Sequence, residues 1–196
     1  MAELVVCRLE VAAIHREPDP SSELVTQALL GEPLSVEERR GGWARVRTAY
    51  DYPGWIAADA LEPGDPVNEA RRFLGAPYLW GGLTERGIDC SGLVHMAYRR
   101  LGRLIPRDAD QQEEAGAEVA PGDERRGDLV TYGAGSADHI AFWLGDGRIL
   151  HSTGREGLNG VVEEVEPADY LTRRRKFVRI RASGAPAAIP ETSEYS

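Results

Sequence analysis

A cysteine at the start of an apolar helical run constrains this chain more than any other feature of its sequence. The segment Asp89-Cys90-Ser91-Gly92 precedes a run in which apolar residues recur at helical spacing, namely Leu93, Val94, Ala97 and Leu101. Gly102 then stands where a helix would end. Cys90 is therefore predicted in the first turn of a helix, where the positive end of the helix dipole lowers a thiol pKa and favours a nucleophilic thiolate. A buried structural cysteine is the alternative at this point.

The composition bounds the class of protein. The 196 residues are 42% hydrophobic and 28% charged, which is typical of one or two soluble globular domains. A formal net charge of -9 argues against a nucleic acid partner, because phosphate binding needs a basic surface. The N-terminus lacks a basic start followed by an apolar core, and no apolar run approaches the roughly 20 residues that span a membrane. We therefore expect a cytoplasmic protein without a membrane partner, and two free thiols at Cys7 and Cys90.

The N-terminal third is predicted to be a small all-β barrel of five or six short strands. Residues 43–47 alternate apolar with polar side chains, which is the pattern of a half-buried strand. The other predicted strands lie at residues 4–7, 12–14, 24–30, 34–36 and 54–57. Residues 27–32, 42–46 and 53–56 also resemble the bacterial Src-homology-3-like domain. The predicted domain covers residues 1–63.

The rest of the chain is predicted to be an α+β domain over residues 65–182. Asp65 can cap a helix over residues 67–74, with Pro66 at its first position. After the Cys90 helix and a short helix ending near Gly116, strands are predicted at residues 128–132, 139–144, 148–151, 161–165 and 177–180. Helices that precede a run of strands indicate helices packed on an antiparallel sheet, not alternating βαβ units. Residues 183–196 are predicted to be a disordered tail.

A thiolate nucleophile needs a base within hydrogen-bond reach, and the base needs an orienting partner. The chain has four histidines. His95 lies about 140° around the Cys90 helix and is predicted to point away from the cysteine. His15 lies among the predicted barrel strands. His139 and His151 remain.

The connection between their strands decides whether these two histidines meet. If residues 145–147 form a three-residue hairpin loop, Ala141 opposes His151, and His139 becomes a diagonal neighbour of His151 on the same face. A two-residue turn at residues 146–147 would place the two histidines on opposite faces. A catalytic pair therefore requires the three-residue loop.

Four segments together resemble the NlpC family of papain-like cysteine peptidases. They are Tyr78-Leu79-Trp80-Gly81-Gly82, Asp89-Cys90-Ser91-Gly92-Leu93-Val94, Asp138-His139-Ile140-Ala141 and Ile149-Leu150-His151. The resemblance implies a papain-like fold, with Cys90 as nucleophile, His139 as general base and His151 as the residue that orients the base. It also implies an assisting role for the Tyr78 hydroxyl, and no cofactor.

The resemblance further implies a substrate. The family cleaves peptides of bacterial peptidoglycan between D-glutamate and a diamino acid. In a subset, a barrel ahead of the catalytic domain walls one end of the site and restricts cleavage to stem peptides with a free N-terminal L-alanine. This chain is similar to that subset, so we expect an endopeptidase that recycles murein tripeptides or tetrapeptides in the cytoplasm.

Holding a free ammonium group requires acidic or hydroxyl groups near the thiolate. The candidates near Cys90 are Asp89, Ser91 and Asp108. From the barrel they are Glu17 and Tyr52, with Tyr50 as a competitor for Tyr52 and ordinary loop exposure as the alternative for all three. Ala109 departs from similar sequences, which often carry Ser at this position, so one contact to the substrate is missing.

Other interpretations stay open. Cys90, His139 and His151 could ligate zinc, although their spacing lacks the short pattern of paired ligands. The protein could instead be a secreted wall hydrolase with a wall-binding barrel, a non-enzymatic peptide-binding protein, or an acyl transferase. Trp80 and Trp143 are predicted to belong to the core and not to a substrate platform.

Overall fold

Residues 3–63 form a seven-stranded antiparallel sheet in the computed structural model, which describes residues 3–180 of the chain. The strands are β1 (Glu3–Cys7), β2 (Val11–His15), β3 (Leu24–Leu29), β4 (Pro33–Arg40), β5 (Trp43–Thr48), β6 (Pro53–Ala57) and β7 (Leu61–Pro63). Their order is β3-β2-β6-β5-β4-β1-β7. The sheet curls around one core that includes Ile14, Val46 and Ile56. We call this unit the barrel.

The C-terminal unit places four helices against a six-stranded antiparallel sheet. The helices are α1 (Pro66–Arg71), α2 (Cys90–Arg100), α3 (Ala109–Ala115) and α4 (Ala168–Arg173). The strands are β10 (Ala117–Val119), β11 (Leu129–Tyr132), β12 (His139–Gly145), β13 (Arg148–Thr153), β14 (Gly160–Val165) and β15 (Arg174–Arg179), in the order β10-β15-β11-β12-β13-β14. A small separate hairpin joins β8 (Leu83–Thr84) to β9 (Gly87–Ile88).

The apolar stripe of α2 packs on one face of this sheet. Leu93 and Ala97 are fully buried in one cluster with Phe142 and Leu150. Burial of each large apolar side chain contributes about 1.5–3 kcal/mol. The other face carries a second cluster that includes Tyr170 of α4. The expected α+β class, in which helices packed on an antiparallel sheet follow a small all-β unit, is confirmed.

The element boundaries differ from the predictions where segments are short. Asp65 caps α1 as expected, since its Oδ1 accepts a hydrogen bond from the backbone N–H of Val67 at 2.9 Å. The helix ends at Arg71, three residues earlier than predicted. Strand β10 and the β8–β9 hairpin were not predicted, because two or three residues carry no readable period. The predicted tail at residues 183–196 lies outside the described residues. Across residues 3–180, no helix has the length and apolarity to cross a membrane.

Candidate active site

Cys90 is the first residue of α2, as its sequence position predicts. Oδ1 of Asp89 caps the helix by accepting a hydrogen bond from the backbone N–H of Gly92 at 2.7 Å. The cysteine is buried, and the backbone N–H groups of Cys90, Ser91 and Ile140 are directed at its sulfur and favour the thiolate. Because Ile140 follows His139 in β12, the sulfur lies beside the strand end that carries His139.

The net shift of the thiol pKa is opposite to the expectation from the helix dipole. Burial raises the pKa of the Cys90 thiol to about 11, because it outweighs the three backbone N–H groups. The negative charge of Asp89 adds to this rise. The resting centre is therefore a thiol, and its nucleophilic form requires a base to take the proton.

The structure brings His139 and His151 together. Nε2 of His139 lies 2.8 Å from Nδ1 of His151. His151 is fully buried, and His139 is half-buried. Burial lowers the pKa of both imidazoles, and for His139 the charge of His151 lowers it further. Both rings are therefore neutral near pH 7, which is the state in which His139 can accept a proton.

The hairpin between their strands differs from the prediction. Gly145 pairs with Arg148, so the loop has two residues, Asp146 and Gly147, and not three. Both have positive φ, at 51° and 71°, as a type I′ turn requires. The pairing shifts at Leu144, which forms a bulge between β12 and β13. This extra residue restores the parity that a two-residue turn would have reversed, so the histidines still share a face.

Asp89 and Ser91 line the groove beside Cys90, but the Asp89 carboxylate is already paired with Arg107. Nη1 and Nη2 of Arg107 donate to Oδ1 and Oδ2 of Asp89 at 2.9 and 2.7 Å. Oδ2 also accepts the backbone N–H of Gly81 at 2.6 Å, and Ser91 Oγ accepts Nη1 of Arg107 at 2.9 Å. The Asp89 oxygens are thus buried and already accept hydrogen bonds, although the residue lines the groove beside Cys90. Its role in holding a substrate ammonium group stays a prediction.

Cys90 opens onto a groove of about 550 Å³. Its rim carries three aspartates, Asp108, Asp110 and Asp138. Asp138 is paired with Arg173 at 2.5 Å, whereas the exposed Asp108 carboxylate makes no hydrogen bond or ion pair within residues 3–180. Among the predicted site residues that line this groove, Asp108 is thus the one whose carboxylate remains available to a ligand.

Aromatic residues also contribute to this region. Trp80 lines the groove and is 80% exposed, so the expectation that it belongs to the core is wrong. The half-buried Tyr78 lies near the cysteine: burial raises the pKa of its hydroxyl, and the charge of a Cys90 thiolate raises it further. Tyr78 is thus close enough to Cys90 to respond to its charge, and the assisting role of its hydroxyl stays a prediction.

No residue of the barrel lines the groove beside Cys90. Glu17 and Tyr52 line a separate groove whose residues all belong to the barrel, and Tyr50 instead contacts Thr26. Where the two units meet, a Cβ at Gly102 would lie 3.1 Å from Pro33 of β4. Gly102 follows the C-terminal end of α2, about 18 Å along the axis from Cys90. Glu17 and Tyr52 are thus not among the residues that line the groove beside Cys90, and their contribution to substrate binding stays a prediction.

Comparison with known proteins decides the family. Residues 75–179, more than half of the chain, match the NlpC/P60 family. The chain belongs to the NlpC/P60 family. Residues 14–61 match the bacterial dipeptidyl-peptidase Sh3 domain. Both resemblances noted in the sequence are confirmed.

Two relatives of this NlpC/P60 chain are named gamma-D-glutamyl-L-lysine dipeptidyl-peptidase. The protein from Bacillus cereus is 34% identical over 151 residues, covering 74% of this chain and 43% of the relative. The protein from Bacillus subtilis is 40% identical over 152 residues, covering 72% and 51%. The chain thus spans about half the length of these relatives. A crystal structure of an NlpC/P60 family protein from Bacillus cereus has the same fold, with a TM-score of 0.55 and 24% identity over 91% of this chain and 63% of its own.

One carboxylate beside the histidine pair was not predicted from the sequence. Glu164 of β14 accepts a hydrogen bond from Nε2 of His151 at 2.8 Å through Oε1. Arg155 donates to Oε2 of Glu164 at 2.8 Å. Both ring nitrogens of His151 are thus engaged, and no three side chains within residues 3–180 are grouped to hold a metal ion. The signal in the sequence was a pair of adjacent glutamates, Glu163 and Glu164, in a strand that is otherwise apolar. Which of them meets His151 depends on a loop length that the sequence does not give.

Proposed function

We propose that this protein is a cysteine endopeptidase that hydrolyses the bond between γ-D-glutamate and the diamino acid of a murein tripeptide or tetrapeptide with a free N-terminal L-alanine. The observation that carries this proposal is a hydrogen-bonded histidine pair together with a thiol that opens onto an acid-rimmed groove. The groove volume of about 550 Å³ falls in the range of small-molecule sites.

The chemistry follows from the order of the groups. His139 takes the thiol proton of Cys90 on Nδ1, and the sulfur attacks the carbonyl carbon of γ-D-glutamate. The amide bond breaks, and the leaving amine of the diamino acid receives the proton from His139. Water, deprotonated by His139, then hydrolyses the thioester and frees the carboxylate and the thiol. In this mechanism the backbone N–H groups of Cys90 and Ser91, which are directed at the sulfur, also stabilise the negative charge that develops on the carbonyl oxygen.

Asp108 supports recognition of a free amine. Its exposed carboxylate lies on the groove rim, where it can pair with an alkylammonium group. The names of the two Bacillus relatives support the choice of the γ-D-glutamyl bond. A role in recycling released wall peptides in the cytoplasm completes the proposal, and it rests on the expected preference for short peptides.

The proposal is tested with L-Ala-γ-D-Glu-meso-diaminopimelate and its N-acetylated form, each incubated with the protein and with Cys90→Ala. We expect cleavage of the free-amine peptide, at least tenfold slower cleavage of the acetylated form, and no cleavage by Cys90→Ala. Equal rates for the two peptides would remove the amine site but leave the peptidase assignment intact. If neither peptide is cleaved, the proposed activity is wrong.

A broader wall hydrolase is the second candidate function. The observation that favours it is the position of the barrel, whose residues line a groove separate from the one beside Cys90. Because no barrel residue lines the groove beside Cys90, we infer that the barrel sets no limit on the length of the substrate. Release of soluble peptides from intact sacculi, abolished in Cys90→Ala, would support this function over recycling of free peptides.

A further inference from the structure

We propose that Glu164 is a positioning residue that sets the tautomers of both catalytic histidines and, through them, directs the basic nitrogen of His139 at Cys90. As far as it concerns turnover, the inference rests on the proposed function. Its physical basis is an unbroken hydrogen-bonded series that runs from Arg155 through Glu164 and His151 to His139, with each link at 2.8 Å.

The ionised carboxylate fixes the first proton of the series. A carboxylate can only accept, so Nε2 of His151, which lies 2.8 Å from Glu164 Oε1, carries a hydrogen. A neutral imidazole has one N–H, so Nδ1 of His151 is a lone pair. That lone pair accepts the hydrogen on Nε2 of His139, 2.8 Å away. Nδ1 of His139 is then left as the basic nitrogen.

Without Glu164, the direction in which hydrogen bonds are donated along the series can reverse. His151 could carry its hydrogen on Nδ1 and donate it to Nε2 of His139, which would place the His139 hydrogen on Nδ1. A base protonated on the nitrogen that faces the nucleophile cannot take the thiol proton. The carboxylate also raises the pKa of His151 through its hydrogen bond and its charge, against the lowering by burial. The imidazolium formed after proton transfer is stabilised by the same negative charge.

Arg155 and Tyr170 hold Glu164 and the rings in place. The Arg155 guanidinium donates to Oε2 of Glu164 and lies 5.5 Å from the centre of the Tyr170 ring. The Tyr170 ring centre lies 4.9 Å from that of His139 and 5.5 Å from that of His151. The other titratable or charged groups that act on the histidine pair are Tyr132 of β11 and Arg173 of α4. Cys90 of α2 lies beside the strand end that carries His139, because the backbone N–H of Ile140 is directed at its sulfur. Among these groups, Glu164 is the carboxylate that is hydrogen-bonded to an imidazole.

The test compares Glu164→Gln and Glu164→Ala with Glu163→Gln. Glu163 is the adjacent residue on β14, and its carboxylate pairs with Arg71 at 2.6 Å, away from the histidines. Long-range ¹H–¹⁵N spectra of protein labelled on histidine report the tautomer of each ring without any substrate. Turnover of the free-amine tripeptide is measured in parallel, and circular dichroism confirms that each variant is folded.

We expect the Nε2–H tautomer of His151 in the wild type and in Glu163→Gln, and a mixture of tautomers in Glu164→Ala. The kcat of Glu164→Ala should fall about 10–100-fold with little change in KM, the scale on which outer partners of a functional histidine act. Glu164→Gln should fall less, because its amide oxygen still accepts the hydrogen but carries no charge. If Glu164→Ala does not fold, Glu164→Gln still tests the inference.

Two results would overturn the inference: an unchanged His151 tautomer in folded Glu164→Ala, or, where the peptide is cleaved, a kcat for both Glu164 variants equal to that of Glu163→Gln. If the tautomers shift as expected but the wild type does not cleave the peptide, the positioning role stands and the proposed function fails. The spectroscopic and kinetic readouts therefore separate the two.

Discussion

Asp89 and Arg107 form a bidentate ion pair directly beside the nucleophile, with nitrogen–oxygen distances of 2.9 and 2.7 Å. The Asp89 side chain is almost wholly buried, whereas that of Arg107 is 28% exposed. The pair joins the start of α2 to the segment before α3, and Asp89 also holds the backbone of Gly81. It is therefore a structural element of the active site.

Removing the arginine should destabilise the fold. In Arg107→Ala the Asp89 charge stays buried with backbone partners only, and we expect the free energy of unfolding to fall by about 2–3 kcal/mol, somewhat less than for a fully buried pair. Arg126→Ala is the control, because its pair with Asp65 is exposed and should cost about 1 kcal/mol or less. Urea denaturation measures both values, and equal losses in the two variants would contradict the assignment.

The same pair predicts how stability depends on pH. Burial acts to raise the pKa of Asp89, but hydrogen bonds from Arg107, Gly92 and Gly81 outweigh it, so the net shift is downward. A carboxyl whose pKa is lower in the folded state stabilises the fold above its unfolded pKa of about 3.9, and this contribution is lost as the pH falls through the folded value. Acidification from about pH 5 to 3 should therefore destabilise the wild type more than Arg107→Ala.

Substrate affinity should depend on Asp108 and not on the barrel. Asp108→Asn removes the charge that would pair with the substrate ammonium group, so KM for the free-amine tripeptide should rise about tenfold. This factor corresponds to the lower end of the free energy of a charged hydrogen bond, because the groove is open to solvent. Glu17→Gln makes the same kind of change in the barrel groove and should leave KM within about twofold. The reverse ranking in steady-state kinetics would show that the barrel walls the substrate site.

The reactivity of Cys90 should rise with pH over a wide range. Burial holds its thiol pKa at about 11, so the thiolate fraction, and with it the rate of alkylation by iodoacetamide, should increase about tenfold per pH unit up to near pH 10. Peptide mapping by mass spectrometry separates Cys90 from Cys7. A rate that is constant between about pH 6 and 9 would instead indicate a preformed thiolate–imidazolium pair.

Turnover should persist to a pH well below the ordinary pKa of histidine. His139 must be neutral to accept the thiol proton, and burial together with the charge of His151 holds its pKa well below the ordinary value of 6.5. The acidic limb of the kcat/KM profile should therefore have its midpoint well below pH 6.5. A midpoint at or above that value would show that His139 is not the group that limits activity in acid.

Local patterns predicted the parts of the site that lie within one element or one hairpin. The spacing of apolar residues placed Cys90 at the start of α2, and an assumed three-residue hairpin loop placed His139 and His151 on one face. The length of the loop between them was nevertheless wrong, and the bulge at Leu144 compensated for it. Residues 140–144 are all apolar, so the bulge left no mark in the alternation of apolar and polar side chains. The two histidines were therefore placed on the correct face by an incorrect turn.

Features that depend on distant parts of the chain were not predictable in this way. The pairing of Asp89 with Arg107 and of His151 with Glu164 depends on how loops return to the site. The orientation of the barrel brings Pro33 close to Gly102, at the opposite end of α2 from Cys90. Nothing in the spacing of Glu17 or Tyr52 encodes that orientation.

Gly92, the last residue of the Asp89-Cys90-Ser91-Gly92 segment, should tolerate no side chain. A Cβ at this position would collide with the backbone oxygen of Gly82 and lie 2.8 Å from Oδ1 of Asp89. Overpacking costs about 1–3 kcal/mol and exceeds the gain of up to about 1 kcal/mol from replacing a helical glycine by alanine, because the obstructing atom belongs to the backbone. Gly92→Ala should therefore lower both stability and kcat/KM.

Gly135→Ala is the control, because a Cβ there meets nothing within 4 Å, and it should change neither quantity. A Gly92→Ala protein as stable and active as Gly135→Ala would show that the close approach of Gly82 to α2 is not needed to hold Cys90 in place.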